Sequence, residues 1–212
     1  MSDRMELRLT GSGGQGVILA SVIFAEAAII AGKYTAQSQS YGPEARGGAS
    51  KAETLISDEP IGFTKVQNPT FLMALTQKSL DKYAVNLPED CLVMIDDSLE
   101  KPANVPEDKL VIMPILRTAK DEVGRQQTAN IVAVGCINEL LHIVNRKEIE
   151  KAVMMHIPAG TETLNLKALN AGEKMAQEYL AASQSKTGSH AEAPDKVSAK
   201  KTSAGKVSSK KA

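Results

Sequence analysis

Cysteine is scarce in this sequence: Cys91 and Cys136 are the only two, and no C-x-x-C pair occurs. Iron–sulfur clusters and structural zinc sites need several thiolates at close spacing, so the chain is not expected to hold either by itself. Both cysteines stand inside apolar runs, which predicts buried core residues in a reducing compartment. His142 and His156 have no partner at ligand spacing, and we expect no metal site.

Long apolar segments are also lacking. The opening residues MSDRMELRL contain no hydrophobic region of the kind found in a signal peptide. The most apolar stretch is a helical pattern at residues 17–31, which carries Glu26 and is shorter than the about 20 residues that a bilayer requires. We therefore expect a cytoplasmic protein with no membrane partner.

Net charge is zero overall, with 25 basic and 25 acidic residues, but it is unevenly distributed. Residues 183–212 hold seven lysines and two acidic residues, and their only sizeable apolar side chains are two valines. Such a segment buries too little surface to offset its ordering entropy. We predict one domain at residues 1–182 followed by a disordered, Lys/Ser/Ala-rich basic tail at residues 183–212. We interpret the tail as a solubilising extension and expect no nucleic-acid partner.

Short strands alternate with helices along the predicted domain. The runs MELRLTG, TFLMALT, CLVMIDD and KLVIMPI are typical of buried strands, TAQSQS and ASKAETLIS predict two more, and the patterns after residue 128 have helical spacing. The alternation predicts a Rossmann-like α/β fold, with a mostly parallel sheet and helices on both faces. The helix at residues 17–32 is apolar nearly all round, which favours a partner chain covering its outer side.

A glycine turn follows the first predicted strand and opens the first helix. Gly11, Gly13 and Gly16 satisfy the G-x-G-x-x-G pattern, with a further glycine at Gly14. Glycines allow tight or left-handed backbone and close approach, and a helix N-terminus presents N–H groups and positive dipole to an anion. The pattern therefore indicates an anion-binding turn, although glycines used only for strand–helix packing would look the same.

The residues that a nucleotide cofactor would need around this turn are missing. A nicotinamide site requires an acidic residue at the end of the second strand to bind the ribose, and TAQSQS contains none. A Walker phosphate loop ends in Lys-Ser or Lys-Thr, and SGGQGV does not. A stand-alone NAD(P)-binding protein is therefore disfavoured, and a Walker nucleotide site is excluded.

A second unusual segment, SQSYGPEARGGASKAE, joins two predicted strands. Gly47 and Gly48 permit sharp turns, and Arg46 offers a planar donor fork to a phosphate or carboxylate. If the strands are parallel, this loop lies at the same sheet edge as the glycine turn, where open α/β sheets bind ligands. Alternatively, Glu44 and Arg46 form an ordinary surface ion pair.

Two adjacent carboxylates end a later strand. Asp96 and Asp97 could suggest a metal, but neighbouring side chains of a strand point to opposite faces. We predict instead that one of them caps a helix.

The two glycine-containing segments together resemble a known family. GSGGQGVILASVIFAEAA followed by QSYGPEARGGASKAETLIS is similar to the gamma subunits of the 2-oxoacid:ferredoxin oxidoreductases, with the strongest resemblance to the 2-oxoglutarate branch. The later IDDSL and TANIVAVGCINELL fit the same pattern. The resemblance covers about residues 5–180 and does not extend to the tail.

The resemblance implies an accessory subunit, inactive alone, of an enzyme that oxidatively decarboxylates a 2-oxoacid with coenzyme A. The products are acyl-CoA and CO₂, and ferredoxin is reduced. Thiamine diphosphate, Mg²⁺ and [4Fe–4S] clusters are expected on the alpha, beta and ferredoxin-like delta subunits, while this chain contacts coenzyme A at an interface and stabilises the complex. The alternatives are the gamma subunit of a pyruvate, branched-chain or indolepyruvate enzyme, or a purely structural subunit.

The resemblance also assigns site residues. The turn facing a coenzyme A phosphate would be formed by Gly11, Gly13, Gly14, Gln15 and Gly16. The loop at the active-site interface would be formed by Tyr41, Glu44, Arg46, Gly47 and Gly48. No catalytic residue is expected in this chain, and the sequence does not separate coenzyme A contact from subunit contact.

Overall fold

The computed structural model of the chain describes residues 4–40 and 48–188, with side chains through residue 184. The strands are β1 (Met5–Ser12), β2 (Tyr34–Ser40), β3 (Ala49–Ser57), β4 (Phe71–Ala74), β5 (Leu92–Asp96) and β6 (Leu110–Met113). The helices are α1 (Val17–Ile30), α2 (Gln77–Tyr83), the single turn α3 (Ile115–Arg117), α4 (Ala129–Leu141), α5 (Arg146–His156) and α6 (Glu162–Gly188). A π-helical turn at Thr118–Val123 and a 3₁₀ turn at Gln126–Thr128 connect α3 to α4.

The strands form one sheet in the order β2-β3-β1-β4-β5-β6. The pairs β1–β4, β4–β5 and β5–β6 are parallel, whereas β3 is antiparallel to both of its neighbours. Five of the six strands therefore run in one direction, and the mostly parallel α/β fold is confirmed. The parallel arrangement considered for the two strands around residues 41–48 is wrong, because β2 and β3 are an antiparallel pair.

Helices cover both faces of the sheet, as predicted, but unequally. The larger core lies between the sheet and α1, α4, α5 and α6, with Leu7, Leu9 and Met94 pointing into it. The smaller core lies on the opposite face, where Leu80 of α2 packs on residues of β4 and β5. Cys136 belongs to the first core and Cys91 to the second, so the sheet separates the two buried thiols.

Helix α1 is covered mainly by its own domain, which corrects the prediction that a partner chain covers its outer side. It lies between the sheet and α5, and eight of its 14 residues are buried. Its apolar surface is interrupted by Glu26, whose carboxylate lies 3.7 Å from Nε2 of His156 on α5. Ile29 alone of the α1 residues is largely exposed, at 56%.

Helices α4 and α6 cross at two glycines. A Cβ atom added to Gly135 would lie 2.2 Å from the carbonyl oxygen of Leu169, and one added to Gly172 would lie 1.9 Å from that of Val132. Real Cβ atoms do not approach a backbone oxygen so closely, so only glycine permits this interhelical distance. The two glycines therefore fix how α6 closes over the larger core.

The last helix extends beyond the predicted end of the domain. Helix α6 runs through Gly188, so residues 183–188 of the predicted tail are helical. The prediction of disorder for residues 189–212 lies outside the described residues. No helix in the described part of the chain combines the length and the apolarity that crossing a bilayer requires.

Candidate functional site

The glycine turn lies at the sheet edge where β1 ends. Ser12 pairs with Ala49, the first residue of β3, so the buried Gly48 adjoins the turn. Ser40, the last residue of β2, pairs with Lys51 and brings the other end of the connecting loop to the same edge. The predicted neighbourhood of the two segments is therefore correct at both ends of the loop. The loop residues assigned to the interface, Tyr41, Glu44, Arg46 and Gly47, lie outside the described residues.

The turn uses two glycines in left-handed backbone. Gly14 has φ +92° and Gly16 has φ +73°, a region that L side chains rarely adopt. The amide of Gln15 donates to the carbonyl of Ser12 over 3.3 Å, which closes the turn. Gly16 is then the N-cap residue of α1.

Gln15 stabilises the turn from inside. Its Oε1 accepts from the amide of Ser12 over 2.7 Å, and its Nε2 donates to the carbonyl of Leu75 after β4 over 3.4 Å. A Cβ atom on Gly11 would lie 2.6 Å from that Oε1. Gly11 and Gln15, both predicted to face a ligand, therefore have a packing role that explains their presence.

Gly16 has a packing role as well. A Cβ atom at this position would lie 2.6 Å from Nδ2 of Asn130, in the first turn of α4. The absence of a side chain at Gly16 therefore lets α4 approach the turn.

Gly14 is explained by its left-handed backbone, but neither Gly13 nor Gly14 has a packing role among the described residues. A Cβ atom at either position would meet no heavy atom of the described residues within 4 Å. Helix α1 has no side-chain cap and no acidic residue in its first turn, and the first backbone hydrogen bond into it runs from Ala20 to Gly16. The N–H groups and the positive end of the helix dipole therefore remain available to an anion.

An open groove of about 440 Å³ lies in front of the turn. Its polar edge is formed by Ser12, Ser50 and the backbone of the glycines, and its apolar side by Val17, Ile18, Leu19 and Val22. Such a groove suits a ligand with an anionic group at the turn and an apolar part along α1.

The position expected of a nicotinamide ribose carries no carboxylate. The strand parallel to β1 and next to it is β4, and it continues into Leu75-Thr76-Gln77. On the other side β3 separates β1 from β2, whose sequence contains no acidic residue. The geometry therefore gives the NAD(P) alternative no support at either neighbouring strand.

Asp96 and Asp97 have structural roles. Asp96 is buried, and its carboxylate accepts from the amide of Leu116 over 2.8 Å and from the amide of Ser98 over 3.1 Å. It thereby holds the single turn α3, but the prediction that one of the two caps a helix is wrong, because a turn follows Asp96 and the N-cap residue of α3 is Pro114. Asp97 forms an ion pair of 2.8 Å with Arg117. Within residues 4–40 and 48–188, no three metal-binding side chains cluster.

Sequence reasoning missed a second cavity beside the turn. It measures about 340 Å³ and lies at the N-terminus of α4, where it is lined by residues of α1, α4 and the α5–α6 connection. Leu19 lines both this cavity and the groove in front of the glycines. Asn130, one of its polar residues, is 114 positions from Gly16 along the chain, so the local sequence pattern does not predict their contact.

Comparison with known proteins agrees with this architecture. Residues 6–175 match the family described as pyruvate ferredoxin/flavodoxin oxidoreductase. A protein of Methanocaldococcus jannaschii named 2-oxoglutarate synthase subunit KorC is 44% identical over 178 residues, which are 82% of this chain and 95% of that one. A protein of the same name from Methanothermobacter thermautotrophicus is 40% identical over 182 residues, 82% of this chain and 96% of that one.

Solved structures share the fold. The keto/oxoacid ferredoxin oxidoreductase gamma subunit of Geobacter sulfurreducens PCA is 43% identical, with a TM-score of 0.73 over 84% of this chain and 98% of that one. A chain of the 2-oxoglutarate:ferredoxin oxidoreductase of Magnetococcus marinus, 20% identical, matches over 84% of this chain and 32% of its own length with a TM-score of 0.74, which shows the fold alone. The chain therefore belongs to the gamma-subunit family of the 2-oxoacid:ferredoxin oxidoreductases, as an accessory subunit of an oxidoreductase complex.

Proposed function

We propose that this chain is the gamma subunit of a 2-oxoglutarate:ferredoxin oxidoreductase and that its glycine turn faces coenzyme A. In the proposed reaction the carboxyl group next to the ketone leaves as CO₂, the succinyl group joins the sulfur of coenzyme A, and two electrons pass to ferredoxin. The single observation that carries the role of the turn is the open space at Gly13 and Gly14, in front of an uncapped helix.

Coenzyme A fits the groove by its chemistry. Its diphosphate is an anion of the kind that helix N-termini bind through N–H groups, and its pantetheine arm has an apolar body that matches the α1 side of the groove. This chain would bind and orient the coenzyme and exclude water from one side of it. No proton or electron transfer is assigned to its residues.

We assign thiamine diphosphate, Mg²⁺ and [4Fe–4S] clusters to the alpha, beta and delta subunits, where thiamine diphosphate would supply the electron sink for decarboxylation. Cys91 and Cys136 cannot ligate one cluster together, because they are buried on opposite faces of the sheet. Burial raises the pKa of Cys91 to about 11 and that of Cys136 to about 12, so both remain thiols at neutral pH. We further propose that the complex is cytoplasmic. The loop at residues 41–47 is its proposed interface segment, in which Arg46 makes a charge-assisted contact and Glu44 orients Arg46.

The role of the turn is tested with Gly13→Val in the assembled enzyme. The added Cβ atom meets no described residue within 4 Å and the side chain extends into the open groove, so we expect the KM for coenzyme A to rise about tenfold, equivalent to one lost charge-assisted hydrogen bond. The KM for 2-oxoglutarate and the elution volume of the complex should not change. Gly62→Val is the matched control, because Gly62 also faces open space but lies in another loop.

An unchanged KM for coenzyme A in Gly13→Val would favour a purely structural subunit. Saturable binding of NADH by the chain alone would instead revive the dinucleotide alternative, despite the missing carboxylate.

The substrate and the partners are tested on the native complex. We expect the chain to co-purify with three other subunits in a brown complex containing thiamine diphosphate, and to turn over 2-oxoglutarate faster than pyruvate, branched-chain oxoacids or indolepyruvate. Preference for one of the other oxoacids would change the branch of the family but not the role of the glycine turn.

A further inference from the structure

Strand β2 leaves one edge of the sheet open. It is the last strand in the order of the sheet, and no described segment pairs with the side that faces away from β3. Because alternate residues of an antiparallel strand bond to the same neighbour, the N–H and C=O groups of about half of Tyr34–Ser40 point outward. Three of these seven residues are exposed and four are half-buried. Outward-facing groups of this spacing fit one kind of partner, an extended segment that adds to the sheet.

The two edges of the sheet differ in how they are protected. Strand β6, at the other edge, has four residues, follows the charged turn Glu107–Lys109 and ends at Pro114. Short strands, charged side chains and proline are the means by which natural proteins prevent pairing at an edge. Strand β2 has seven residues in unbroken register with β3, and its sequence YTAQSQS contains no charge and no proline. Of the two edges, β2 is therefore the one that can accept another strand.

An apolar flank of α1 lies above this open edge. Ile18, Val22 and Ile29 are four and seven positions apart, so they share one side of the helix, which we call the α1 flank. Ser21, three positions from Ile18, accepts a hydrogen bond of 3.4 Å from Nε2 of Gln37, which places the flank on the β2 side. Ile18 and Val22 are half-buried and Ile29 is 56% exposed. The flank is distinct from the outer side of α1, which α5 covers.

The edge and the α1 flank together specify the chemistry of the partner. A strand added to β2 would lie about 4.8 Å beyond it, with every second side chain directed toward the face that carries α1. Large apolar side chains at those positions would bury the flank. A second β2 strand does not fit, because it would present Thr35, Gln37 and Gln39 there, the residues of β2 on the α1 face. A second copy of this chain is therefore disfavoured.

We propose that β2 and the α1 flank dock an extended segment of another subunit of the complex, which adds one strand to the sheet and places large apolar side chains under α1. The chain is an accessory subunit of an oxidoreductase complex, so another subunit is available to supply the segment. Ile18 and Val22 also line the groove in front of the glycines, so the docked segment would form one wall of that groove. The proposal goes beyond the proposed function and rests on subunit association alone, not on the binding of coenzyme A.

Hydrogen–deuterium exchange of the isolated chain and of the assembled complex tests the edge. A peptide covering the seven residues of β2 should take up about three fewer deuterons in the complex, because the outward-facing amides become hydrogen-bonded. A peptide covering β6 is the control and should not change. Equal uptake by β2 in the two samples would overturn the proposal. Protection of β2 in the isolated chain, together with a dimeric mass, would also overturn it, because a second copy would then cover the edge.

A charge on the α1 flank tests the apolar part of the surface. Ile29→Lys should raise the dissociation constant of this chain from the rest of the complex about tenfold to a hundredfold, because an ammonium group replaces a side chain that the docked segment buries. Val85→Lys is the matched control: Val85 is 57% exposed but follows α2, beside the smaller core. An unchanged dissociation constant in a folded Ile29→Lys chain would show that the flank is not buried, and the proposal would be wrong.

The failure of this proposal can be distinguished from the failure of the coenzyme A role. Gly13→Val is expected to change a KM without changing assembly, whereas Ile29→Lys is expected to change assembly. If Gly13→Val raises the KM for coenzyme A and β2 exchanges as freely in the complex as in the isolated chain, the docking edge is refuted and the role of the turn remains. If β2 is protected in the complex and Gly13→Val leaves that KM unchanged, the opposite holds.

Discussion

Two pairs of glycines in this chain have opposite surroundings: one pair lies in close contact with a neighbouring helix, and the other faces open space. Gly135 and Gly172 lie inside helices, where a Cβ atom would come within about 2 Å of a carbonyl oxygen of the opposite helix. Gly13 and Gly14 lie in the turn after β1, where a Cβ atom would meet no atom of residues 4–40 or 48–188 within 4 Å. The first pair is required by contacts inside the domain, and the second has no such requirement. Other loop glycines such as Gly62 and Gly160 also face open space, so the open space at Gly13 is informative only because it lies in front of the uncapped N-terminus of α1, whereas a glycine at a helix crossing is explained by the fold itself.

The largest effect on stability is expected at the helix crossing. In Gly172→Ala the new methyl group must separate α4 from α6, because its position lies 1.9 Å from the oxygen of Val132 and 2.8 Å from the amide nitrogen of Cys136. We expect the free energy of unfolding of the purified chain to fall by about 3 kcal/mol, even though alanine favours a helix by about 1 kcal/mol over glycine. Urea denaturation followed by circular dichroism measures this change.

The reactivity of the two thiols provides an independent measurement of the same variant. Cys136 and Cys91 are buried and keep raised pKa values of about 12 and about 11, so a thiol reagent at pH 8 reaches them only after the protein opens. A loss of 3 kcal/mol should accelerate labelling about a hundredfold in Gly172→Ala. Unchanged labelling together with unchanged urea midpoints would show that the helices separate at no cost, and the packing account of these glycines would be wrong.

A smaller loss is expected at the junction of the two regions. A Cβ atom on Gly16 would lie 2.6 Å from Nδ2 of Asn130, and Gly16 has φ +73°, so Gly16→Ala combines an unfavourable backbone with a displaced side chain. Because a side chain can move more easily than a backbone oxygen, we expect a destabilisation of about 2 kcal/mol. Equal stability of Gly16→Ala and the unmodified chain would show that the contact in the structure is not rigid.

The sequence predicted the fold better than the contacts of the site. The strands could be predicted because short apolar runs that end in polar residues are visible in the local sequence. Strand β3, for example, covers ASKAETLIS as predicted. Helix α2 was missed, since QKSLDKY places only Leu80 and the partly buried Tyr83 against the smaller core, which is too few for a helical pattern. The antiparallel direction of β3 was missed as well, because an alternating pattern is the same for both directions of a strand.

Within the site, the structure distinguishes residues with a packing role from residues free to face a ligand, although all of them fit the same sequence motif. All five residues from Gly11 to Gly16 that fit the motif were assigned to a ligand, but Gln15 hydrogen-bonds to Ser12 and Leu75 and two of the glycines are needed for packing. Asn130 could not be found from local pattern, because its role depends on where α4 lies relative to the turn. Gly135 and Gly172 could not be found either, since a glycine in a helical pattern has no visible function until the crossing helix is known.

The smallest effect on folding, and the most informative one, is expected at Gly13. Its φ is not in the left-handed region and its surroundings are open, so Gly13→Ala should change the free energy of unfolding by less than about 0.5 kcal/mol. Gly14→Ala should cost about 1 kcal/mol more, because alanine at φ +92° is strained although the space is equally open. Urea denaturation of both variants separates backbone strain from packing. If Gly13→Ala instead destabilised the chain as strongly as Gly172→Ala does, the turn would be a packed element like the helix crossing, and its open space could not be assigned to a ligand.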